Sequence, residues 1–151
     1  MLGSSRFVIA IHVLAILARA HGREPVCSTF IAQSVNTNPV VIRRLMASME
    51  QHSLVKSLAG RKGGFILARD PKSISLQEIF AALEGSELFR RHIREPSKNC
   101  PVGACIANVI SNPLKVAEDA MNAALARTTL QDLVSQIPLP FEETLRAQPA
   151  T

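Results

Sequence analysis

Apolar and polar positions along the first half of the chain fall into helical stripes separated by strong local stop signals. An apolar run from Phe7 to Ala18, with Ser4 or Ser5 placed to cap it and His21-Gly22 just past its end, predicts a first helix. Ser28 as a cap, with Phe30, Ile31, Ala32 and Val35 as the buried side, predicts a short second one. Asn38 followed by Pro39 opens a third helix over 39–51, since proline at the first turn sacrifices no hydrogen bond. Within it Ile42, Leu45, Met46 and Met49 recur at three- and four-residue steps, while Val40, Arg43, Arg44 and Ala47 recur at the same steps on another face. The apolar runs Leu54–Leu58 and Phe65–Arg69 read as strands, and Gly60-Arg61-Lys62-Gly63-Gly64 between them reads as a tight hairpin. Asp70-Pro71 ends the second strand, and Ser75 with Glu78 makes a capping box ahead of Ile79, Phe80 and Leu83, with Gly85 as terminator.

Beyond that point the periodicity loosens. From Ser86 to Ala104, Arg90, Arg91, Arg94, Pro96, Lys98 and Pro101 interrupt any apolar stripe, which predicts mostly an ordered loop. Asn112-Pro113 repeats the cap-and-proline start, ahead of a helix striped by Leu114, Ala117, Met121, Ala124 and Leu125. Thr129 can cap a final turn bearing Leu130, Leu133, Val134 and Ile137, and Pro138, Pro140 and Pro149 mark a frayed tail. The fold class is mainly α with a small β-wing: a winged helix-turn-helix followed by a long C-terminal helix.

A helix with arginines and small residues on its free face suits the major groove, because a guanidinium can donate two bonds to a guanine edge or bind phosphate. A solvated face carries the same residues, so the surrounding chemistry decides. Of the net charge of +5 on the 151 residues, residues 1–72 carry +7 and residues 73–151 carry −2. The basic half therefore holds both the helix and the Arg61-Lys62 hairpin tip, as counterion release from a phosphate backbone requires. A nucleotide-cradling loop is the rival for the glycine run, but it would open a helix, and a strand-like run follows instead. The chain has neither Trp nor Tyr, which removes the usual stacking platform for single-stranded bases or sugars. The first apolar run imitates a secretory signal, yet His12 interrupts it, Arg19 stands in the cleavage motif, and twelve apolar residues do not span a bilayer. A membrane partner is not expected, and the expected location is the cytoplasm.

With these pieces in place the chain resembles the Rrf-type family of bacterial winged-helix regulators, which includes the iron-sulfur cluster regulator, the nitric-oxide-sensing repressor and the cysteine-metabolism repressor. The resemblance runs over about residues 3 to 137 and is carried by Asn36-Thr37-Asn38-Pro39-Val40-Val41-Ile42-Arg43-Arg44, by Gly60 to Arg69, and by Ile74-Ser75-Leu76. It implies a homodimer joined by the long helix, bound to a near-palindromic double-stranded operator with recognition helices in major grooves and wings at minor grooves. The implied domains are a DNA-binding winged helix over 1–85, a sensor loop and dimerisation helix over 86–137, and a flexible tail over 138–151. The expected DNA-contacting residues are Ser28, Thr37, Asn38, Val40, Arg43, Arg44, Arg61 and Lys62.

Cluster-binding relatives place three cysteines between the wing-following helix and the long helix, whereas Cys100 and Cys105 alone stand there in this chain. Asn108 occupies the position where some relatives carry a histidine, although His92 or His12 can supply nitrogen. The Lys98 to Gly103 stretch is closer to a cluster-free subgroup that includes thiol switches. Chemistry leaves three readings of the thiols: an iron-sulfur site needing more ligands, a reversible switch, or inert cysteines in a reducing compartment. The cluster is the least favoured, so no cofactor or metal is expected. Cys100 and Cys105 are the leading switch candidates, with Cys27 a buried small hydrophobe or a third partner.

Two other function classes compete. A cysteine enzyme would need His21, His52 or His92 to orient Cys100 together with a carboxylate, which only an unforeseen fold would provide. A winged-helix protein-interaction module would not use the basic half. The leading expectation is a sequence-specific DNA-binding regulator, a homodimeric repressor responsive to redox or thiol-reactive signals.

Overall fold

A computed structural model describes residues 5–84, 88–89 and 94–138. Its elements are α1 (Ser5–Arg19), α2 (Ser28–Val35), α3 (Pro39–Gln51), β1 (Val55–Leu58), β2 (Gly64–Leu67), a 3-10 turn (Pro71–Ser73), α4 (Leu76–Glu84), α5 (Pro101–Ala126) and α6 (Leu130–Ser135). Gly85, Pro140, Pro149 and most of the expected tail lie outside the described residues, as do Arg90, Arg91 and His92.

One core gathers the N-terminal elements. Val13, Leu14 and Leu17 of α1, Ile31 of α2, Ile42, Met46 and Met49 of α3, and Ile79 of α4 are all essentially excluded from solvent. Each such side chain contributes about 1.5 to 3 kcal/mol on leaving water, so this cluster dominates the stability of the unit. Phe7 of α1 meets Phe80 of α4 edge to face with ring centroids 5.3 Å apart, and His12 and Ser34 share a 3.1 Å hydrogen bond between α1 and α2.

The wing is an antiparallel hairpin in which Val55 pairs with Leu67 and Leu58 with Gly64. β1 begins one residue inside the expected run, whereas β2 begins one residue before its run, at Gly64, and ends two residues short of it, at Leu67; past that point the Ala68 N–H donates to the Leu54 carbonyl at 3.0 Å without extending the ladder. An isolated two-stranded hairpin is marginal in water. Here the other edge of β2 is also used: Phe65 and Val26 exchange both backbone bonds, at 3.0 and 2.9 Å. The approach is so close that a Cβ on Gly64 would lie 2.6 Å from the Val26 carbonyl oxygen, which explains glycine at that position.

Two expectations for the second half need correction. The loop does not reach Ala104, and Asn112-Pro113 does not start a helix: α5 begins at Pro101 and runs through Pro113 without a break. Proline at the first turn is the true start signal, and it stands at Pro101 behind Cys100 in the N-cap position. Pro113 lies on a stretch of α5 that is exposed in the single chain, and the helix passes through it. Among the described residues of α5 none is buried in the single chain; the expected stripe is half-buried at Leu114, Met121 and Leu125 and exposed at Ala117 and Ala124.

The far end of the chain returns to the core. Leu130 donates its N–H to the Ile74 carbonyl at 2.8 Å, Leu76 donates to Thr128 at 3.0 Å, and Leu130 and Val134 are buried beside α1. Residues 130–134 thus share the hydrophobic core of the winged helix, although the sequence groups them with the dimerisation segment. Thr129 and Asp132 form a reciprocal capping box at the start of α6, as expected from Thr129.

Candidate nucleic-acid interface

The candidate reading head is built from the turn between α2 and α3. Asn36 takes up the left-handed conformation at φ 57°, where asparagine is tolerated, and ends α2. Asn38 then accepts the N–H of Val40 on its side-chain oxygen at 2.8 Å, with Pro39 at the first helical position. These two local devices fix where α3 starts and so which side chains face outward.

They face as the periodicity predicts. Ile42, Leu45, Met46 and Met49 are buried, and Val40, Arg43, Arg44 and Ala47 are exposed. Neither Arg43 nor Arg44 has an ion-pair partner among the described residues. Val41, which the periodicity did not single out, is 46% exposed beside Val40 at 45%.

Ser28 and Thr37 are half-buried and Asn38 is exposed. Ser28 does not cap α2: Cys27 occupies that position and makes no side-chain cap bond, so Ser28 is the first helical residue. Val26 pairs with Phe65 and Cys27 is still extended, so the helix begins at Ser28, one residue before the start that a Ser28 cap would give. Cys27 is half-buried there and accepts a 3.4 Å bond from the Thr29 hydroxyl on its sulfur.

At the wing tip Arg61 and Lys62 are exposed, and Gly60 at φ 107° supplies a backbone conformation that other residues avoid. Lys62 Nζ lies 3.5 Å from Glu24 Oε1, a pair open to solvent on both sides. The wing is tied down on both strands. Glu50 near the end of α3 accepts from the Ser57 N–H at 2.8 Å and from its hydroxyl at 3.1 Å. Past β2, Arg69 donates to Glu78 Oε1 at 2.8 Å, while the other oxygen of Glu78 accepts from the Ser75 N–H at 2.9 Å. Glu24 and Glu50 were not legible as part of the site, because their partners are brought to them only by the folded hairpin.

The thiols do not converge. Cys100 and Cys105 are exposed, one at the N-cap of α5 and the other within it. Five residues of helix separate their alpha carbons by about 7.5 Å along the axis alone, beyond the reach of about 7 Å that a disulfide tolerates. Among the described residues no three His, Cys, Asp or Glu side chains are grouped to hold a metal ion. Among the described residues of one chain the donors are therefore not grouped as a four-ligand iron-sulfur cluster requires. His52 donates from Nδ1 to the Ser48 carbonyl at 3.0 Å, and no described helix is long and apolar enough to cross a membrane.

Comparison with known proteins agrees with this architecture. Residues 3–136 match the family described as Rrf2, iron-dependent transcriptional regulator. YwnA of Bacillus subtilis, which carries the name of an HTH-type transcriptional regulator, is 36% identical over 135 residues, covering 89% of this chain and 98% of YwnA. The HTH-type transcriptional regulator CymR of the same organism is 30% identical over 125 residues, covering 82% of each chain. The solved structure of CymR, named the global cysteine regulator of B. subtilis, superposes with a TM-score of 0.69 at 27% identity, over 91% of this chain and all of that one. The T. potens IscR structure shares the fold at a TM-score of 0.68 and 24% identity, over 93% of this chain and 95% of that one. A winged helix whose third helix turns two arginines outward, matched over nearly its whole length, makes this chain a member of the Rrf2 family of transcriptional regulators.

Proposed function

We propose that the chain is a homodimeric repressor that binds a near-palindromic operator, with α3 in the major groove and the wing on the backbone. The observation that carries this reading is the division of α3: four core residues inward, and Val40, Arg43, Arg44 and Ala47 outward, with no acidic partner on either arginine among the described residues. The homodimer is supported by α5. Val102, Val109 and Val116 recur every seven residues at 67, 66 and 59% exposure, and Ile106 and Ala120 lie four residues beyond Val102 and Val116. A seven-residue apolar repeat on a long helix with no buried residue is what a second copy of the helix would cover.

Duplexes selected from a randomised pool by the full chain test the reading. Arg43→Ala and Arg44→Ala should each weaken binding to the selected operator, by about 1 to 3 kcal/mol if the arginine bonds a guanine edge, with relaxed preference at that base pair. Unchanged affinity in both folded variants takes α3 off the DNA.

The exposure of Cys100 at the junction of loop and long helix favours a thiol signal over a resident cluster. The sulfur of the Cys100 thiolate attacks one oxygen of a peroxide, the O–O bond breaks, the sulfur becomes a sulfenic acid, and the other oxygen leaves as hydroxide and takes up a proton. A tenfold change in operator affinity on oxidation requires about 1.4 kcal/mol of coupling, within the ordinary allosteric range. Cys105 is too far along the helix to close an intramolecular disulfide with Cys100, so Cys27 or a small thiol is the resolving partner. Peroxide should shift operator affinity in the parent and not in Cys100→Ser. An equal response in that variant removes Cys100 from the signal, and stoichiometric iron and sulfide in anaerobically purified protein puts a cluster in its place.

A further inference from the structure

The outward face of α3 is not uniformly basic. Val40 lies at its centre, one turn before Arg44 and two before Ala47, and Val41 lies on its flank; both valines are nearly half exposed in the folded chain. β-branched side chains are poor choices for exposed helical positions, since they lose rotamer freedom against the preceding turn without recovering it by packing. Neither valine belongs to the core, where Ile42 and Leu45 supply the apolar contacts of the same turn. They are therefore apolar groups presented to a partner, and the flanking Arg43 and Arg44, with no acidic partner among the described residues, make that partner an anionic one.

On the reading of α3 as the recognition helix, one chemical group meets this description. The major-groove edges of adenine, guanine and cytosine present hydrogen-bonding atoms, and thymine alone adds a methyl group at C5. We infer that Val40 and Val41 are specificity-determining residues that pack on thymine methyl groups next to the base pair engaged by Arg44. A stiff valine suits this role, because its methyls are held in place before binding and little side-chain freedom is lost when they meet the base. The operator half-site then contains thymine beside an arginine-read guanine, and the arginines supply affinity while the valines reject cytosine at the neighbouring step.

The test replaces each thymine of the selected operator in turn with deoxyuridine, which removes the methyl and keeps base pairing intact. In each half-site at least one such change should weaken binding of the parent by about fourfold, the worth of one methyl group taken out of water. Val40→Ala or Val41→Ala, both at exposed positions, should bind the thymine and deoxyuridine duplexes equally at that step while retaining the arginine-dependent preference. Indifference of the parent to every deoxyuridine overturns the inference, as does a methyl effect that survives in both valine variants. If selection yields no preferred sequence at all, the operator-binding reading falls with it; an arginine-dependent preference without methyl dependence overturns this inference alone.

Discussion

Glu50 grips Ser57 through both its backbone N–H and its hydroxyl, at 2.8 and 3.1 Å, and so joins the end of α3 to the first strand of the wing. A hairpin on its own would sway relative to α3. This carboxylate holds the wing at a set distance from α3, so that on the proposed reading a helix in the major groove would fix where the wing meets the backbone.

Glu50→Ala should therefore cost little stability, since the bonds are solvent-exposed, and more in DNA binding. The thermal midpoint should fall by only a few degrees, as expected for about 0.5 to 1.5 kcal/mol of hydrogen bonding. Operator affinity should drop while affinity for random duplex holds, because the wing can still find phosphate but no longer at a fixed distance from α3. Glu50→Gln keeps the accepting oxygen and should recover most of the loss. Equal losses on operator and random duplex would show that Glu50 does not set this spacing.

Glu78 makes folding sensitive to acid. Burial pushes its carboxyl up, but the Ser75 N–H, the Arg69 guanidinium and the Ser75 hydroxyl together outweigh that and hold it below its ordinary value of 4.5. A carboxyl with a lowered folded pKa contributes stability above the unfolded value and loses it as pH falls through the folded one. Denaturant titrations should show Glu78→Gln destabilised at neutral pH, and the gap from the parent should shrink below about pH 4.5. A gap independent of pH would mean that the charge on Glu78 contributes nothing.

Gly64 is required by space. Its missing side chain lets β2 approach Val26, and Gly64→Ala places a carbon 2.6 Å from a backbone oxygen that cannot move without breaking the Val26–Phe65 pair. The variant should lose about 1 to 3 kcal/mol in chemical denaturation. Amide exchange should quicken at Val26 and Phe65, and full protection at those two amides would mean that the pair accommodates the added carbon.

Most of this fold was legible because its signals are local. Asn38 and Pro39 set the first residue of α3, the four-residue stripe set its inward face, and Ser75 with Glu78 marked the start of α4. The same proline rule misled at Pro113, because it says where a helix can begin and not that an exposed helix must stop there. Leu130 and Val134 looked like part of the C-terminal arm, and the strand-like pair of bonds from Leu130 to Ile74 and from Leu76 to Thr128 carries them back beside α1. The outward exposure of Val40, Arg43, Arg44 and Ala47 was readable for the same reason as the helix that bears them. Glu50, Glu24 and Val41 were not, since an exposed carboxylate or valine gives no sequence signal of what the fold places beside it.

The wing tip should supply affinity without sequence preference. Arg61 and Lys62 stand on a glycine-rich turn, which can follow a phosphate backbone but cannot hold a side chain to the geometry of a base edge. Removing both should weaken every duplex alike and flatten the log-log salt dependence by about 0.9 for each phosphate no longer neutralised. Lys62 is not unopposed, because Glu24 lies 3.5 Å away and competes with phosphate for the same ammonium. A pair this exposed is worth at most about 1 kcal/mol, so Glu24→Gln should tighten binding to random and operator duplexes by a similar small factor, up to about fivefold, and leave their ratio unchanged. The gain should vanish in Glu24→Gln combined with Lys62→Ala. If it persists there, Glu24 acts through the general field of the basic half and not through Lys62; if the double wing variant keeps the parent salt slope, the wing does not touch phosphate.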